Sequence, residues 1–264
     1  MEFKDQMNRV FELTKTPKRI ISLVPSQTEL LVDLGLEEFI VGVTKFCIHP
    51  SSLRKTKSIV GGTKNINIDK IKALKPDIIL CNKEENTKEI VEICEQIAPT
   101  HVSDIFTLDD SKELIIQYGE ILSCKTAAEN IIEKLDNEFV KFQQFIKNTE
   151  EKKVAYFIWK DPWMVAGHGT FISTMMNLAG VMNAAPASSD YPSLEAKEIQ
   201  AINPEVVLLS TEPFPFVAKH KTEIELLLPD AEIHIVDGEL FSWYGSRLLL
   251  APPLIKNLRR KIGK

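Results

Sequence analysis

The chain has 264 residues, of which 44% are hydrophobic and 26% are charged, the composition of an ordinary globular protein. Its 37 acidic residues outnumber its 32 lysines and arginines, and the resulting net charge of -5 argues against nucleic acid as a partner. The sequence contains no apolar run of 18 residues, so it predicts no membrane span. Four cysteines, at positions 47, 81, 94 and 124, lack metal or disulfide spacing and are expected to be free thiols.

The first half of the chain alternates strand and helix patterns, which predicts a doubly wound parallel sheet. A short hairpin or strand ending at Pro17 comes first. Ser26 and Glu29 have capping-box spacing and predict a helix that ends at Gly35. The remaining predicted elements are strands at 19–24, 39–43, 77–81 and 100–103, helices at 67–75 and 86–97, and a loop at 44–65.

A single long amphipathic helix is predicted from Lys125 to about Lys147. One face carries apolar residues three or four positions apart: Ile131, Leu135, Phe139, Phe142 and Ile146. Thr126 and Glu129 supply capping-box spacing at its start. At 1.5 Å per residue such a helix is about 35 Å long, enough to join two lobes. One packed helix resists bending, so we expect small lobe motions and a preformed cleft.

The second half repeats part of the first. The stretch K72-A-L-K-P-D-I-I-L-C-N-K-E-E85 recurs as Q200-A-I-N-P-E-V-V-L-L-S-T-E-P213, 128 positions later. Each copy reads as a helix end, a proline, an acid and a buried parallel strand. Around the second copy we predict strands at 153–158 and 232–236 and helices at 170–179 and 246–262. The fold class is therefore α/β, with two doubly wound, Rossmann-like lobes at 1–123 and 149–264 joined by a backbone helix at 124–148.

Two glycine motifs resemble phosphate loops but are incomplete. G167-H-G-T170 lacks the third glycine of a dinucleotide motif, and I59-V-G-G-T-K64 lacks the Walker pattern. Both are interpreted as tight turns. Cys47 and His49 are two neighbouring ligand types, but a metal site needs three or four ligands. No nucleophile has a recognisable catalytic context, so we predict neither a metal site nor a catalytic residue.

Aromatic residues are concentrated in the predicted loops. Flat apolar walls of this kind suit a large rigid ligand, with Thr63, Glu239 and Arg247 as polar groups that fix its orientation. The alternative is packing on the lobe surfaces, which we expect for about half of the set. Its members are Phe46, Trp159, Trp163, Phe171, Tyr191, Phe214, Phe216, Phe241, Trp243 and Tyr244.

Several motifs in order resemble the substrate-binding proteins of ABC importers for vitamin B12 and ferric siderophores, the helical-backbone class III periplasmic binding proteins. The motifs are D5-Q-M-N-R9, R19-I-I-S-L-V-P-S-Q-T-E29, G42-V-T44, A73-L-K-P-D-I-I79 and S246-R-L-L-L-A251. The resemblance implies two α/β lobes bridged by one helix, no enzymatic activity and no required cofactor. It also implies a metal chelate as ligand: an iron–siderophore, a corrinoid or a haem.

Carried over by position, the family's ligand-binding residues are Phe46, Thr63, Tyr191, Glu239 and Trp243. Trp163 and Arg247 join this set as an aromatic and a polar group in the same loops. A cobalamin-binding relative typically has an aromatic residue where this chain has Thr63. Because of that difference, vitamin B12 itself is in doubt as the ligand, and other metal chelates remain candidates.

The resemblance further implies that the chain, a monomer, docks on the transmembrane permease through one acidic residue on each lobe. Asp69 is the first. The equivalent position 128 residues later is Lys197, so Glu195 or Glu198 would have to replace it. Such acids pair with permease arginines by charge-assisted hydrogen bonds.

The N-terminal sequence and the family resemblance predict different cellular locations for the protein. The family works in the periplasm, whereas the first residues, M1-E-F-K-D-Q-M-N-R-V-F-E-L-T-K-T-P17, contain no apolar run of the length that a signal peptide needs. Retention in the cytoplasm is therefore an alternative. Two other functions stay open: a two-lobed cytoplasmic group-transfer enzyme, and a cytosolic chelate sensor or carrier of the same fold.

Overall fold

The computed structural model describes residues 1–262 and divides into two compact units. Unit 1 consists of Met1–Leu135 with Tyr244–Arg247, and unit 2 consists of Asp136–Trp243 with the chain from Leu248 onward. The first division falls inside helix α6 (Lys125–Ile146), so one helix carries the chain from unit 1 to unit 2. Within residues 1–262, no helix is both long and apolar enough to cross a membrane.

Unit 1 is built on a five-stranded sheet in which every pairing is parallel, with strand order β5-β4-β3-β6-β7. The first two strands form a separate antiparallel hairpin, which confirms the predicted one. The strands are β1 (Glu2–Lys4), β2 (Val10–Glu12), β3 (Ile20–Ser22), β4 (Ile40–Val43), β5 (Ser58–Ile59), β6 (Ile78–Asn82) and β7 (Thr100–Ser103). The helices are α1 (Pro25–Asp33), α2 (Leu53–Thr56), α3 (Ile68–Ala73), α4 (Lys88–Glu95), α5 (Leu108–Ile121) and α6 (Lys125–Ile146).

Two predicted capping boxes are wrong. Helix α1 has Pro25 in its first turn and Val24 as N-cap, so Ser26 lies inside the helix and is buried. Proline fixes φ near the helical value and needs no N–H partner there, which lets it begin the helix one residue before Ser26. Thr126 likewise lies inside α6, which begins at Lys125. Helix α5 is absent from the sequence prediction, although Thr107 and Asp110 form a capping box at its start.

Unit 2 contains a six-stranded sheet of mixed direction. Strands β8, β12 and β13 are parallel, β10 pairs in parallel with β8, and β9 and β11 add antiparallel strands at one edge. The strands are β8 (Lys152–Trp159), β9 (Trp163–Val165), β10 (Val181–Asn183), β11 (Ser193–Leu194), β12 (Val206–Ser210) and β13 (Glu232–Val236). The helices are α7 (Phe171–Leu178), α8 (Ala196–Ile202), α9 (Ala218–Leu227), α10 (Glu239–Ser242) and α11 (Ala251–Lys261).

The helix predicted at 246–262 is in fact two elements. A 3-10 helix covers Gly245–Leu249, and α11 begins only at Ala251. Prolines at positions 252 and 253 lie in the first turn of α11, where their missing N–H groups cost nothing. The same prolines would break a helix that began at residue 246.

The sequence repeat is confirmed by the backbone. Strands β6 and β12 begin and end 128 residues apart, each follows a short helix, and each has all five residues buried. Lys75 and Asn203, which are equivalent positions before the prolines, both have positive φ, at 45° and 41°. This left-handed residue ends each helix and turns the chain into the strand.

Helix α6 buries one stripe along its length, as its spacing predicted. The buried residues are Ala128, Ile131, Leu135, Phe139 and Phe142, while Ile146 is half-buried. Burying each large apolar side chain contributes roughly 1.5–3 kcal/mol. The four cysteines are free, as predicted.

Because His101 is buried, we predict that the free energy of unfolding of the protein falls as the pH is lowered. His101 is fully buried, and its Nε2 lies 2.7 Å from Gln117 Oε1. Burial lowers its pKa, so the folded protein binds fewer protons than the unfolded chain once the pH drops below about 6.5. The free energy of unfolding should therefore fall between pH 7 and pH 5, and His101→Gln should reduce that slope. Urea denaturation at each pH measures it.

His234 is the matched control for this experiment. Its Nε2 is 2.6 Å from Glu232 Oε1 and its side chain is partly exposed. His234→Gln should leave the acid slope attributable to His101 in place. An unchanged slope in His101→Gln would contradict the prediction. Asp5 raises the pKa of His101 and Arg9 lowers it, and both residues are kept in the two variants.

Candidate functional site

A buried polar network lies at the carboxyl ends of the strands in unit 1. Gln27 Nε2 donates to Ser103 Oγ at 2.7 Å and to Tyr244 OH at 3.0 Å, and Tyr118 OH donates to Gln27 Oε1 at 2.7 Å. Asn82 Nδ2 donates to the same Ser103 Oγ at 2.9 Å. Burial raises the pKa of both tyrosines, so they stay protonated and able to donate. A satisfied network of this kind makes the carboxyl edge of the sheet rigid.

The segment 244–247 is bonded into unit 1 at three points. Besides Tyr244, Gly245 N–H donates to Ser111 Oγ at 2.9 Å, and Arg247 Nε donates to Glu29 Oε2 at 2.8 Å. Arg247 is only 7% exposed. Burial raises the pKa of Glu29, and Arg247 opposes that shift. The guanidinium predicted to orient a ligand is therefore engaged with Glu29, and its contact with a ligand stays a prediction.

Phe46 and Thr63, both predicted to bind ligand, lie on adjacent loops of this edge. Phe46 is 48% exposed, and a Cβ on Gly62 would lie only 3.2 Å from its Cε2 atom. Thr63 follows directly and is largely buried. Its carbonyl oxygen accepts a hydrogen bond from Asn86 Nδ2 at 2.9 Å. An exposed aromatic ring thus lies against the residue that precedes Thr63.

Glu85 lies at the same edge of the sheet as Phe46 and Thr63, and it was not predicted from the sequence as a site residue. It directly precedes Asn86, whose side chain holds Thr63, and its backbone N–H donates to Asn82 Oδ1 at 3.0 Å. Burial raises the pKa of the Glu85 carboxyl, and Glu84 adds to the shift. The available signal was a pair of acids, Glu84 and Glu85, two and three residues after a strand that begins with four apolar residues, at the edge where α/β sheets bind ligands.

Cys47 is held by side chains of unit 1. Its Sγ lies 3.1 Å from Thr28 Oγ1 and 3.3 Å from Thr44 Oγ1, and the residue is fully buried. Burial raises the pKa of this thiol, which keeps it a poor metal ligand. Across residues 1–262, no group of three or more histidines, cysteines or acids is placed to hold a metal ion.

Trp163 lies in an aromatic cluster of unit 2. Its ring stacks on Phe216 with centroids 6.0 Å apart and planes 5° apart, and Trp159 meets Phe214 edge-on at 5.6 Å. His220 contacts both phenylalanine rings, at 5.2 Å and 5.5 Å. Trp159 is 39% exposed, so the cluster presents one aromatic face to solvent. The prediction that these aromatics lie in loops is wrong for Trp159 and Trp163, which end β8 and begin β9, because both strands extend to the aromatic residue.

The other predicted ligand residues of unit 2 lie on different elements. Glu239 is the first residue of α10, and Trp243 directly follows that helix, with its N–H donating to Glu239 O at 3.0 Å. Trp243 is nearly buried, whereas Glu239 is half-buried. Tyr191, also half-buried, lies on the segment before β11.

The motif G167-H-G-T170 is a tight turn, as predicted. Gly167 N–H donates to Asp190 O at 2.7 Å, and a Cβ at Gly167 would lie 2.2 Å from Ser189 O. Thr170 Oγ1 accepts from Ser173 N–H at 3.1 Å and so caps α7 with its own side chain. The second motif is also a turn: Gly61 has φ of 125°, and a Cβ there would lie 2.4 Å from Asn65 O.

The candidate docking acids lie at equivalent helix starts. Asp69 is the second residue of α3, and Lys197 is the second residue of α8. Glu195 is the N-cap of α8, and its backbone N–H donates to Glu198 Oε2 at 2.7 Å. All four side chains are exposed. Glu198 is thus engaged within the first turn of its own helix.

The family model described as periplasmic binding protein matches residues 20–230. A protein of Bacillus subtilis named an uncharacterized ABC transporter substrate-binding lipoprotein, YvrC, is 26% identical over 259 residues, covering 93% of this chain and 81% of that protein. A vitamin B12-binding protein of Pectobacterium carotovorum is 26% identical over 241 residues, covering 89% of this chain and 86% of that protein.

A solved structure has a similar fold. The periplasmic heme-binding protein RhuT from Roseiflexus sp. RS-1, in its apo form, matches with a TM-score of 0.82 and 21% sequence identity. The match covers 94% of this chain and 99% of that one. This structural similarity confirms the predicted α/β fold class.

Proposed function

The chain belongs to the periplasmic binding protein family, and we propose that it is the substrate-binding protein of an ABC importer for a metal chelate. The family match across residues 20–230 is the observation that carries the proposal. The names of the relatives support it, since they include a vitamin B12-binding protein and an ABC transporter substrate-binding lipoprotein. The family is one of binding proteins rather than enzymes.

The ligand proposed for this chain is a corrinoid, a haem or an iron–siderophore. Each is a large, rigid body with flat or apolar faces, which aromatic side chains bind well. The residues proposed to contact it are Phe46, Thr63, Trp163, Tyr191, Glu239, Trp243 and Arg247. The exposed ring of Phe46 beside Thr63 supports this assignment in unit 1.

Delivery requires a transmembrane permease, to which the chain would dock through Asp69 and Glu195. The proposed place of action is the outer side of the cytoplasmic membrane, where importers collect their substrates. Fractionation of cells that express the native protein tests this location. Recovery of the protein wholly in the cytosol would contradict it.

Titration with chelates tests the ligand class. Purified protein should bind at least one of cyanocobalamin, haemin or a ferric siderophore, with a change in tryptophan fluorescence. All three tryptophans, at 159, 163 and 243, lie in unit 2, so the signal reports on that unit. Calorimetry run in parallel separates binding from optical absorption by the chelate. Absence of heat with all three chelates would reject the proposal.

Chelate binding by the variant Phe46→Ala tests whether the ligand contacts unit 1. Because the ring is 48% exposed, its removal should leave the melting temperature nearly unchanged. Loss of an aromatic wall should weaken chelate binding by a factor of about two to ten, since an aromatic contact contributes about 0.5–1.5 kcal/mol beyond simple burial. Phe106→Ala is the matched control, because Phe106 is 43% exposed in the same unit and carries no predicted role.

A further inference from the structure

Glu85 is a half-buried carboxylate that the proposed function does not yet use. It follows strand β6 by three residues, at the carboxyl edge of the unit 1 sheet. The Asn82 side chain fixes its backbone, because Asn82 Oδ1 accepts from the N–H groups of Glu84 and Glu85 at 2.9 Å and 3.0 Å. The next residue, Asn86, donates from Nδ2 to the carbonyl oxygen of Thr63 at 2.9 Å, which places Glu85 beside a predicted ligand residue.

The surroundings of Glu85 do not neutralise it. Burial and Glu84 both raise its pKa, while Lys64 and Thr63 oppose the shift only in part. Lys64 Nζ is bonded to the Glu84 carbonyl oxygen and is exposed. A carboxylate removed from water and incompletely compensated is costly to the free protein, and such groups are concentrated at binding sites, where a ligand completes their bonding.

Of the positive charges near this edge, those of Lys45 and Lys64 lie on exposed side chains, whereas the buried guanidinium of Arg247 is paired with Glu29. Lys45 Nζ lies over the Phe46 ring, 4.9 Å from its centroid, and is exposed, like Lys64. Exposed charges are screened by salt and water, whereas a half-buried one is screened much less. The charge that a ligand meets beside Thr63 is therefore mainly that of Glu85.

We propose that Glu85 contacts the bound chelate and accepts hydrogen bonds from N–H groups at its edge. The proposal rests on the proposed function and narrows its ligand class. A corrinoid carries neutral amide side chains around its rim, and these donate to a carboxylate. A haem carries two carboxylates and a ferric tris-catecholate carries a net negative charge, so both are repelled by Glu85. The site accordingly takes an amide-edged, corrinoid-type chelate in preference to an anionic one.

Calorimetric titration of two matched variants tests this assignment. Wild type, Glu85→Gln and Glu84→Gln are each titrated with cyanocobalamin, haemin and a ferric tris-catecholate. Wild type should bind cyanocobalamin most tightly. Glu85→Gln should weaken cyanocobalamin about tenfold, because a charge-assisted hydrogen bond becomes a neutral one, and should strengthen binding of the anionic chelates. Glu84→Gln removes the same charge from the exposed neighbouring residue and should change each Kd less than about threefold.

The outcomes separate this inference from the proposed function. If wild type binds none of the three chelates, the proposed function fails and this inference fails with it. If wild type binds a chelate but Glu85→Gln leaves the order and ratio of affinities unchanged, the assignment of Glu85 alone is overturned. Tighter binding of haemin than of cyanocobalamin by wild type would overturn it as well. Equal melting temperatures of the three proteins exclude misfolding as the cause of any change.

Discussion

Replacing both Asp69 and Glu195 by arginine should reduce chelate uptake at least about tenfold while leaving the Kd for the chelate unchanged. Both side chains are exposed at helix starts, so the substitutions disturb no packing. If each acid pairs with a permease arginine, reversal turns attraction into like-charge repulsion, which costs several kcal/mol across an interface. Uptake of labelled chelate by cells that depend on this protein measures the effect. Calorimetry on the purified variant measures the Kd.

Controls for this experiment come from the same chain. Glu129→Arg reverses an exposed acid of α6 whose carboxylate lies 3.8 Å from Lys125, and it should leave uptake unchanged. Lys197→Glu places an acid at the position equivalent to Asp69 and should not reduce uptake. Glu198→Arg is unsuitable, because Glu198 accepts a hydrogen bond from the N-cap backbone of α8. If Glu129→Arg lowered uptake as much as the double variant, general charge rather than docking would be responsible.

The parts of the fold that the sequence predicted are those with a strong local pattern. Strands β6 and β12 each begin with four consecutive apolar residues that follow a proline and an acid, and α6 has 22 residues with one apolar stripe. Strands β9 to β11 were missed because each has only two or three residues and is partly exposed, so its pattern is too short to register. Helix α5 was missed although its capping box was readable at Thr107 and Asp110.

The site was less predictable because its contacts join distant positions. Arg247 meets Glu29 across 218 residues, and Tyr244 meets Gln27 across 217, so no local spacing could indicate either contact. Phe46 and Thr63 were predicted both from the concentration of aromatic residues with nearby polar groups and from the resemblance, and their contact with a ligand stays a prediction. Glu85 was overlooked because an acid after a strand is ordinarily solvated, and only its burial beside Thr63 distinguishes it.

Gly167→Ala should destabilise unit 2 by about 3 kcal/mol. The new Cβ would lie 2.2 Å from Ser189 O and 2.9 Å from Asp190 O, and both are backbone atoms that cannot rotate away. Relief requires the segment at 189–190 to move, which lengthens the 2.7 Å hydrogen bond from Gly167 N–H to Asp190 O. Overpacking costs about 1–3 kcal/mol and a lost hydrogen bond about 1 kcal/mol more. Urea denaturation followed by tryptophan fluorescence measures the loss, since all three tryptophans belong to unit 2.

Gly35→Ala separates this steric effect from backbone strain. Gly35 has φ of 78°, but a Cβ added there would have no atom within 4 Å, so its substitution costs only the left-handed conformation, about 1 kcal/mol. Far-UV circular dichroism follows this variant, because unit 1 contains no tryptophan. Equal losses in the two variants would mean that the turn at Gly167 yields easily. A larger loss at Gly167 would establish that the glycine is required by the close approach of residues 189–190, which is a structural reason for the motif and not a phosphate-binding one.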